Sequence, residues 1–163
     1  MDYAYPPVSF FFEVVFLGGG FDQVENRFQS VTGLNAELQT ETVKEGGVNY
    51  YEHILPVRSK YPPLVLKRGL VKDSKLSDWC MKAILNLDIH PVDLQVRLLH
   101  VKRTDPKKPP EKSEPLMGWD VINAYPRKWS VSDFNAEQNA IAIESLELNY
   151  SYFKPQGSNP PAR

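Results

Sequence analysis

A single cysteine, Cys80, stands in 163 residues. No internal disulfide can form, so the fold must rest on packing, which suits synthesis in a reducing compartment. Excess charge is equally absent. Nineteen Lys and Arg face 20 Asp and Glu, for a net charge of −1 and a pI of about 6.3. No global basic field therefore points to nucleic acid. Nor is there a membrane-spanning run. The apolar stretch in "MDYAYPPVSFFFEVVFLGGG" is interrupted by Glu13, lacks a preceding basic region, is too short to span a bilayer and alternates like a strand. The expectation is a chain without a targeting segment and without membrane insertion.

Catalytic signatures are missing too. His53, His90 and His100 are far apart, and neither His-x-x-x-His nor Cys-x-x-Cys occurs, so no metal site is expected. Ser130 and Ser132 lack a Gly-x-Ser-x-Gly context and read as a hydrogen-bonded or solvated strand face. Among the carboxylates Glu37, Glu41, Asp133, Glu137, Glu144 and Glu147, nothing singles out an acid–base pair. Gly18-Gly19-Gly20 has no Gly-x-Gly-x-x-Gly or Lys-Ser/Thr continuation, which favours a flexible turn over a phosphate loop. No catalytic residue, metal or cofactor is assigned, and the chain does not read as an enzyme.

What is present is patterning. Hydrophobic residues make up 42% and charged residues 24%, the balance of one globular domain. The 14 prolines cluster at 6–7, 62–63, 106–115 and 155–161, between the patterned segments. Val8, Phe10, Phe12, Val14 and Phe16 share one parity, which predicts a strand with one strongly apolar face. Leu34, Ala36, Leu38, Thr40 and Thr42 alternate with Asn35, Glu37, Gln39 and Glu41. Gly46-Gly47 then turns the chain into a return strand, "NYYEHIL", giving a long hairpin whose apolar residues need cover. "YPPLVLKRGLV" predicts a further strand.

The period then changes. Leu76, Trp79, Cys80, Ala83, Ile84 and Leu87 predict one amphipathic helix from about Ser74 to Leu87, capped by Asp73 or Ser74, with Cys80 a buried, inert thiol. "PVDLQVRLLHV" alternates as a strand, with Val92, Leu94, Val96 and Leu98 on one face. Lys102–Pro115 reads as an exposed, proline-stiffened basic loop. "LMGWDVINAY" and "RKWSVSDF" read as short strands meeting at a turn at Pro126, with Asp133–Glu137 a polar turn into the last strand. In "AIAIESLELNYSYF" the apolar parity changes between Ile143 and Leu146, which predicts a bulge near Glu144-Ser145. The sum is a mainly β (α+β) fold: an antiparallel β-barrel of about seven to eight strands, one amphipathic helix and an extended hairpin. Residues 1–153 form a single domain, and 154–163 a flexible C-terminal tail.

Six segments carry a resemblance. They are "YPPVSFFFEVVF" (5–16), "RFQSVTGLNAELQTETVKEGG" (27–47), "HILPVRSKYPPLVLKRGL" (53–70), "SDWCMKAI" (77–84), "NAYPRKWSVSDFNAEQN" (123–139) and "IESLELNYSYF" (143–153). In this order and combination they resemble the tail-tube proteins of contractile phages and related extracellular contractile injection systems. The resemblance implies a haemolysin-coregulated-protein-like barrel, hexameric rings stacked into a hollow tube inside a sheath, and delivery of cargo through a target envelope.

It also implies partners: other copies of the chain, a sheath protein, baseplate, spike and tube-terminating proteins, and luminal cargo. Assembly is expected in the bacterial cytoplasm, within a particle that can be released. The resemblance points to Glu45, Gly46, Gly47, Tyr50 and Tyr51 for contacts between subunits or rings, and leaves open whether Lys128, Asp133 and Glu137 shape their turn locally or form part of that contact. The polar row Asn35, Glu37, Gln39 and Glu41 is the expected lumen lining. The length and basic character of Lys102–Pro115 leave open a tube initiator at the baseplate. From another class, a free barrel binding single strands or a ligand stays open as well.

Overall fold

The computed structural model describes residues 10–21, 28–44, 46–47, 50–102, 111–133 and 141–158. Among them the strands run β1 (Phe10–Leu17), β2 (Ser30–Thr32), β3 (Glu37–Val43), β4 (His53–Lys60) and β5 (Leu64–Gly69). The helix α1 (Lys75–Asn86) follows, then β6 (Val92–Lys102), β7 (Glu111–Val131), β8 (Ile143–Asn149) and β9 (Tyr152–Pro155). Every ladder is antiparallel. Seven strands form one sheet in the order β1-β6-β7-β8-β5-β2, with β9 also on β7, while β3 and β4 pair only with each other.

Alternation places the core as the sequence implies. Val14 and Phe16 of β1 point inward beside Val96 and Leu94 of β6, and Leu64 and Leu66 of β5 beside Leu148 and Leu146 of β8. All of these belong to one buried cluster, together with Leu76 and Cys80 of α1. The two ends of the strand path therefore share one interior. The rings of Phe16, on β1, and Phe28, just ahead of β2, are 6.4 Å apart. The sheet is rolled into a barrel, and the helix packs its apolar stripe onto it.

The helix matches its expected bounds. Ser74 Oγ accepts the Ser77 N–H at 3.2 Å as the N-cap, and Leu87, left-handed at φ 56°, ends the last turn. Leu76, Cys80 and Ala83 are buried, whereas Ile84 and Leu87 emerge from the stripe into exposure.

Several expectations are corrected. The register of β8 against β5 is unbroken from Leu148 to Ile143, and its pairing with β7 is regular through Glu144 and Ser145. There is no bulge at Glu144-Ser145. Glu144 itself continues the inward face of Leu146 and Leu148, so the parity change reflects a buried charge, not a slip. The irregularity lies on the opposite strand, between Pro126 and Lys128. Pro126 is not a turn between two short strands. It sits inside the 21-residue β7, opposite Leu148, where its lack of an N–H is absorbed by the neighbouring bulge. β7 also bends at Asn123 (φ 54°), whose N–H is taken by Asp93 Oδ1 at 2.8 Å.

The expected loop Lys102–Pro115 is shorter, because Lys102 still pairs with Glu111; residues 103–110 lie outside the described ones. The return strand of the hairpin starts at His53, with Tyr50–Glu52 ahead of it outside the ladder, and continues through Pro56 to Lys60; Asn49 lies outside the described residues. At the other end, β9 carries the ladder past the expected boundary at 153, and Gln156 N–H bonds Gly118 O at 2.8 Å. Residues 159–163 lie outside the described ones.

The charge at Glu144 is fully engaged. Its Oε2 accepts Arg68 Nε at 2.8 Å, and its Oε1 accepts Ser77 Oγ at 2.5 Å and Trp129 Nε1 at 2.6 Å. Arg68 also donates to the capping Ser74 Oγ at 2.6 Å and lies over the Phe28 ring. Arg68 is 2% exposed and Glu144 0%. Burial pushes the Glu144 carboxyl upward. The hydrogen bonds from Ser77, Trp129 and Arg68, with the Arg68 charge, outweigh that and hold it below its ordinary value. Burial, aided by the Glu144 charge and opposed by Arg68, pushes the Cys80 thiol up to about 12, so it is unreactive at neutral pH.

Removing one partner of a buried ion pair leaves the other charge uncompensated. Glu144→Gln is expected to lower unfolding free energy by about 3–5 kcal/mol, whereas the double change Arg68→Met with Glu144→Leu should recover most of that loss. Denaturant titration of the three chains reads the difference. Because the folded pKa of Glu144 is lowered, its contribution is present above the ordinary carboxylate range and fades as pH falls through the folded value. The gap between wild type and Glu144→Gln should accordingly narrow below about pH 4.

Candidate assembly interface

Nearly every residue of the β3–β4 hairpin is exposed, although many are apolar. Its register sorts the side chains. Leu38, Thr40 and Thr42 lie opposite Ser59, Pro56 and Ile54, on one face. Glu37, Gln39, Glu41 and Val43 lie opposite Lys60, Arg58, Leu55 and His53, on the other. A register shift between Gln39 and Thr40 leaves Val57 as the extra residue of β4. Leu38 is 59% exposed and Ile54 67%, levels seen for surface groups rather than for members of a core.

The root of the hairpin is fixed, even though its shaft is bare. Gly33, at φ 98°, joins β2 to β3, and a Cβ there would come 2.1 Å from Pro63 O. No side chain fits at this crossing of the two hairpin stems. Tyr150 donates its hydroxyl to Gly33 O at 3.1 Å, and its ring packs with Tyr61 and Phe153. Burial, with Tyr61 beside it, pushes the Tyr150 hydroxyl up to about 12 and keeps it a neutral donor. An aromatic cluster of Tyr61 from the β4–β5 connection, Tyr150 from the β8–β9 connection and Phe153 of β9 thus sets where the hairpin leaves the barrel.

The expected interface residues fall into two places. Gly46 and Gly47 form the exposed turn at the tip, with Tyr50 and Tyr51 beside it, exposed by 96% and 61%. The Tyr51 ring meets His53 edge-on, and Lys44 pairs with Glu52 at 3.2 Å. Lys128 and Asp133 lie instead at the end of β7. Lys128 is engaged locally with Glu147 at 3.5 Å, and Asp133 is exposed. Glu45 and Glu137 lie outside the described residues.

Of the expected lumen row, Glu37, Gln39 and Glu41 share a strand face, while Asn35 precedes β3. That face is not simply acidic. Arg58 Nε donates to Gln39 Oε1 at 2.9 Å, and Lys60 stands opposite Glu37. Alternation on β3 alone does not reveal these cations, because they come from the return strand, which runs on to Lys60. Ser132 is structural: it exchanges two hydrogen bonds with Ile143 that close the β7–β8 ladder. Among the described residues no cluster of His, Cys, Asp or Glu is placed to hold a metal ion, and no helix is long and apolar enough to cross a membrane.

The family model of the T4-like virus tail tube protein gp19 matches residues 8–154. No curated protein matches the chain. Among solved structures, a chain of the anti-feeding prophage baseplate, 6-fold symmetrised, is 26% identical with a TM-score of 0.74, over 95% of this chain and 98% of that one. A chain of the sheath–tube complex of an extracellular contractile injection system (PVC), in the extended state, is also 26% identical with a TM-score of 0.71, over 94% and 93%. Hcp1 from Flavobacterium johnsoniae shares the fold at 13% identity, with a TM-score of 0.53 over 90% and 95%.

Shaft and root should respond differently to substitution. Leu38→Ser and Ile54→Ser are expected to change the stability of the dispersed chain by no more than about 0.5 kcal/mol. Gly33→Ala, at a left-handed position without room for a Cβ, should cost about 1–3 kcal/mol. Thermal unfolding of dilute protein measures both.

Proposed function

The chain belongs to the T4-like virus tail tube protein gp19 family, and on that premise we propose that its barrels join into hexameric rings stacked as a hollow delivery tube. It is a structural tube subunit of a contractile injection system. The observation that carries the proposed assembly is the hairpin. A two-stranded ribbon with exposed Leu38, Ile54, Leu55 and Val57 is marginal in water by itself, and a neighbouring copy supplies the cover it lacks. A head-to-tail contact between unlike surfaces closes into a ring when its rotation allows, and repeats along an axis to give a tube.

In this reading the mechanism is mechanical. The barrel is rigid because its strands are laddered and its buried Arg68 and Glu144 are paired with each other, so a ring transmits thrust without bending. Tyr50, Tyr51, Gly46 and Gly47 at the hairpin tip contact the next subunit or ring, joined by Glu45, Lys128, Asp133 and Glu137. A surrounding sheath, a baseplate with its spike and a terminating cap complete the particle, as the anti-feeding prophage and sheath–tube neighbours suggest. The particle assembles in the bacterial cytoplasm and acts after release. The row of Asn35, Glu37, Gln39 and Glu41 faces the bore, where polar side chains and both signs of charge let cargo slide instead of sticking.

Negative-stain microscopy of concentrated protein tests the assembly. Hollow tubes of indefinite length are expected; isolated rings alone would mark a baseplate-proximal initiator, and a monomer in the presence of sheath and baseplate proteins would overturn the proposal. The bore assignment has its own check. Glu37→Lys with Glu41→Lys should leave tubes intact while changing the cargo retained in purified particles, and loss of tubes would move these residues to a subunit contact.

A further inference from the structure

We propose that the C-terminal strand β9 is a strap that aims the hairpin: it holds the Phe153 ring in the aromatic cluster that grips both stems of the root, and assembly of copies depends on that hold although closure of the barrel does not. The dependence of assembly rests on the tube-subunit reading above. The strap itself is a property of the single chain.

The path β1-β6-β7-β8-β5-β2 rolls into the barrel without β9, which pairs with β7 through Tyr152–Pro155 against Trp119–Ile122. β9 takes up the edge of β7 that β8 leaves at Tyr125, on the side away from β6. The chain ties it down at both ends. Ahead of it, Ser151 N–H bonds Ile122 O at 3.0 Å. Beyond it, Gln156 N–H bonds Gly118 O at 2.8 Å, and Lys154 Nζ donates to Ser158 O at 2.9 Å. A four-residue strand outside the barrel path is thus fastened along its whole length. Phe153 stands opposite the buried Val121 and shares its inward face.

From there Phe153 bears on the root of the hairpin. Its ring centroid lies 5.7 Å from that of Tyr61, on the outgoing stem, and 6.3 Å from that of Tyr150. Tyr150 in turn donates to Gly33 O on the incoming stem, the same carbonyl that accepts the Asn35 N–H at 2.8 Å in the turn ahead of β3. One side chain of β9 therefore steadies both stems. The length of the arm makes this hold matter. The seven residues of β3, at about 3.3 Å each, span about 23 Å, so a rotation of about 10° at the root moves the tip by roughly 4 Å, close to one strand spacing. Among the described residues β3 and β4 ladder only with each other, so no further strand pairing corrects the angle. It is set at the root.

Pulsed electron spin resonance on dispersed protein, with spin labels on Thr42→Cys and Leu85→Cys, reads the angle of the hairpin against the helix; both sites are exposed, and the buried Cys80 takes no label. Phe153→Ala and Tyr61→Ala are expected to broaden the distance distribution by roughly 4 Å. Tyr61 is half-buried on the connection between β4 and β5, so its truncation spares the core if Phe153→Ala does not fold. Val14→Ala, a core truncation in β1, should weaken the fold and leave the distribution narrow. With the arm rightly aimed in about a tenth of the molecules, the concentration at which the unlabelled strap variants half-assemble, read by sedimentation, should rise on the order of tenfold. Distributions that stay narrow in the strap variants, or that broaden as much in Val14→Ala, overturn the strap. Broadening with no shift in assembly overturns the dependence of assembly on it and leaves the tube reading standing. A wild-type chain that never assembles overturns the tube reading and that dependence together, while the distances still decide the strap.

Discussion

The carboxylate of Glu144 meets the guanidinium of Arg68 at 2.8 Å inside the barrel, where neither has water to turn to. This pair constrains much of the rest. It holds β5 to β8, draws the Trp129 indole of β7 onto the same carboxylate, and engages both the capping Ser74 and Ser77 of α1. Three strands and the start of the helix therefore share one satisfied hydrogen-bond network. Desolvation makes such a pair costly, and only full coordination of both charges makes it tolerable. Its geometry also selects one helix orientation, because Ser74 and Ser77 reach the pair only when α1 lies as it does.

The hairpin is the opposite case. The barrel has satisfied its interior, whereas among the described residues β3 and β4 extend from it with apolar side chains exposed and with sheet pairing only to each other. Yet their root is held tightly, by the Gly33–Pro63 crossing and the Tyr150 hydroxyl. A precisely rooted, uncovered ribbon is suited to meeting something outside the chain at a defined angle. In the proposed assembly, the partner of that surface is another copy of the same protein. The rigid body and the incomplete arm are complementary requirements of one assembly, since a tube needs units that do not deform and contacts that only neighbours can complete.

Much of this was legible in the sequence. The stripe from Leu76 to Ala83 fixed the helix, and parity placed Val14, Phe16, Leu94 and Val96 inside. The resemblance of the six segments led to the right family. What escaped has a common physical origin. A single sequence shows polarity, not pairing, so a buried Glu144 looked like a change of phase when it was a charge with an Arg 76 residues away. Pro126 looked like a strand end, because the bulge that accommodates it depends on β8. The cations beside Glu37 and Gln39 were hidden for the same reason, as Arg58 and Lys60 are neighbours only across the hairpin.

The central claim is that a self-sufficient barrel carries an arm completed by a neighbouring copy. Sedimentation velocity, on the full chain and on one whose residues 37–60 are replaced by a short Gly-Ser turn between the retained Gly33 and Pro63, tests it most directly. The account predicts that the shortened chain sediments as a folded monomer at concentrations that drive the full chain into large assemblies. A shortened chain that assembles as readily as the full one would contradict it.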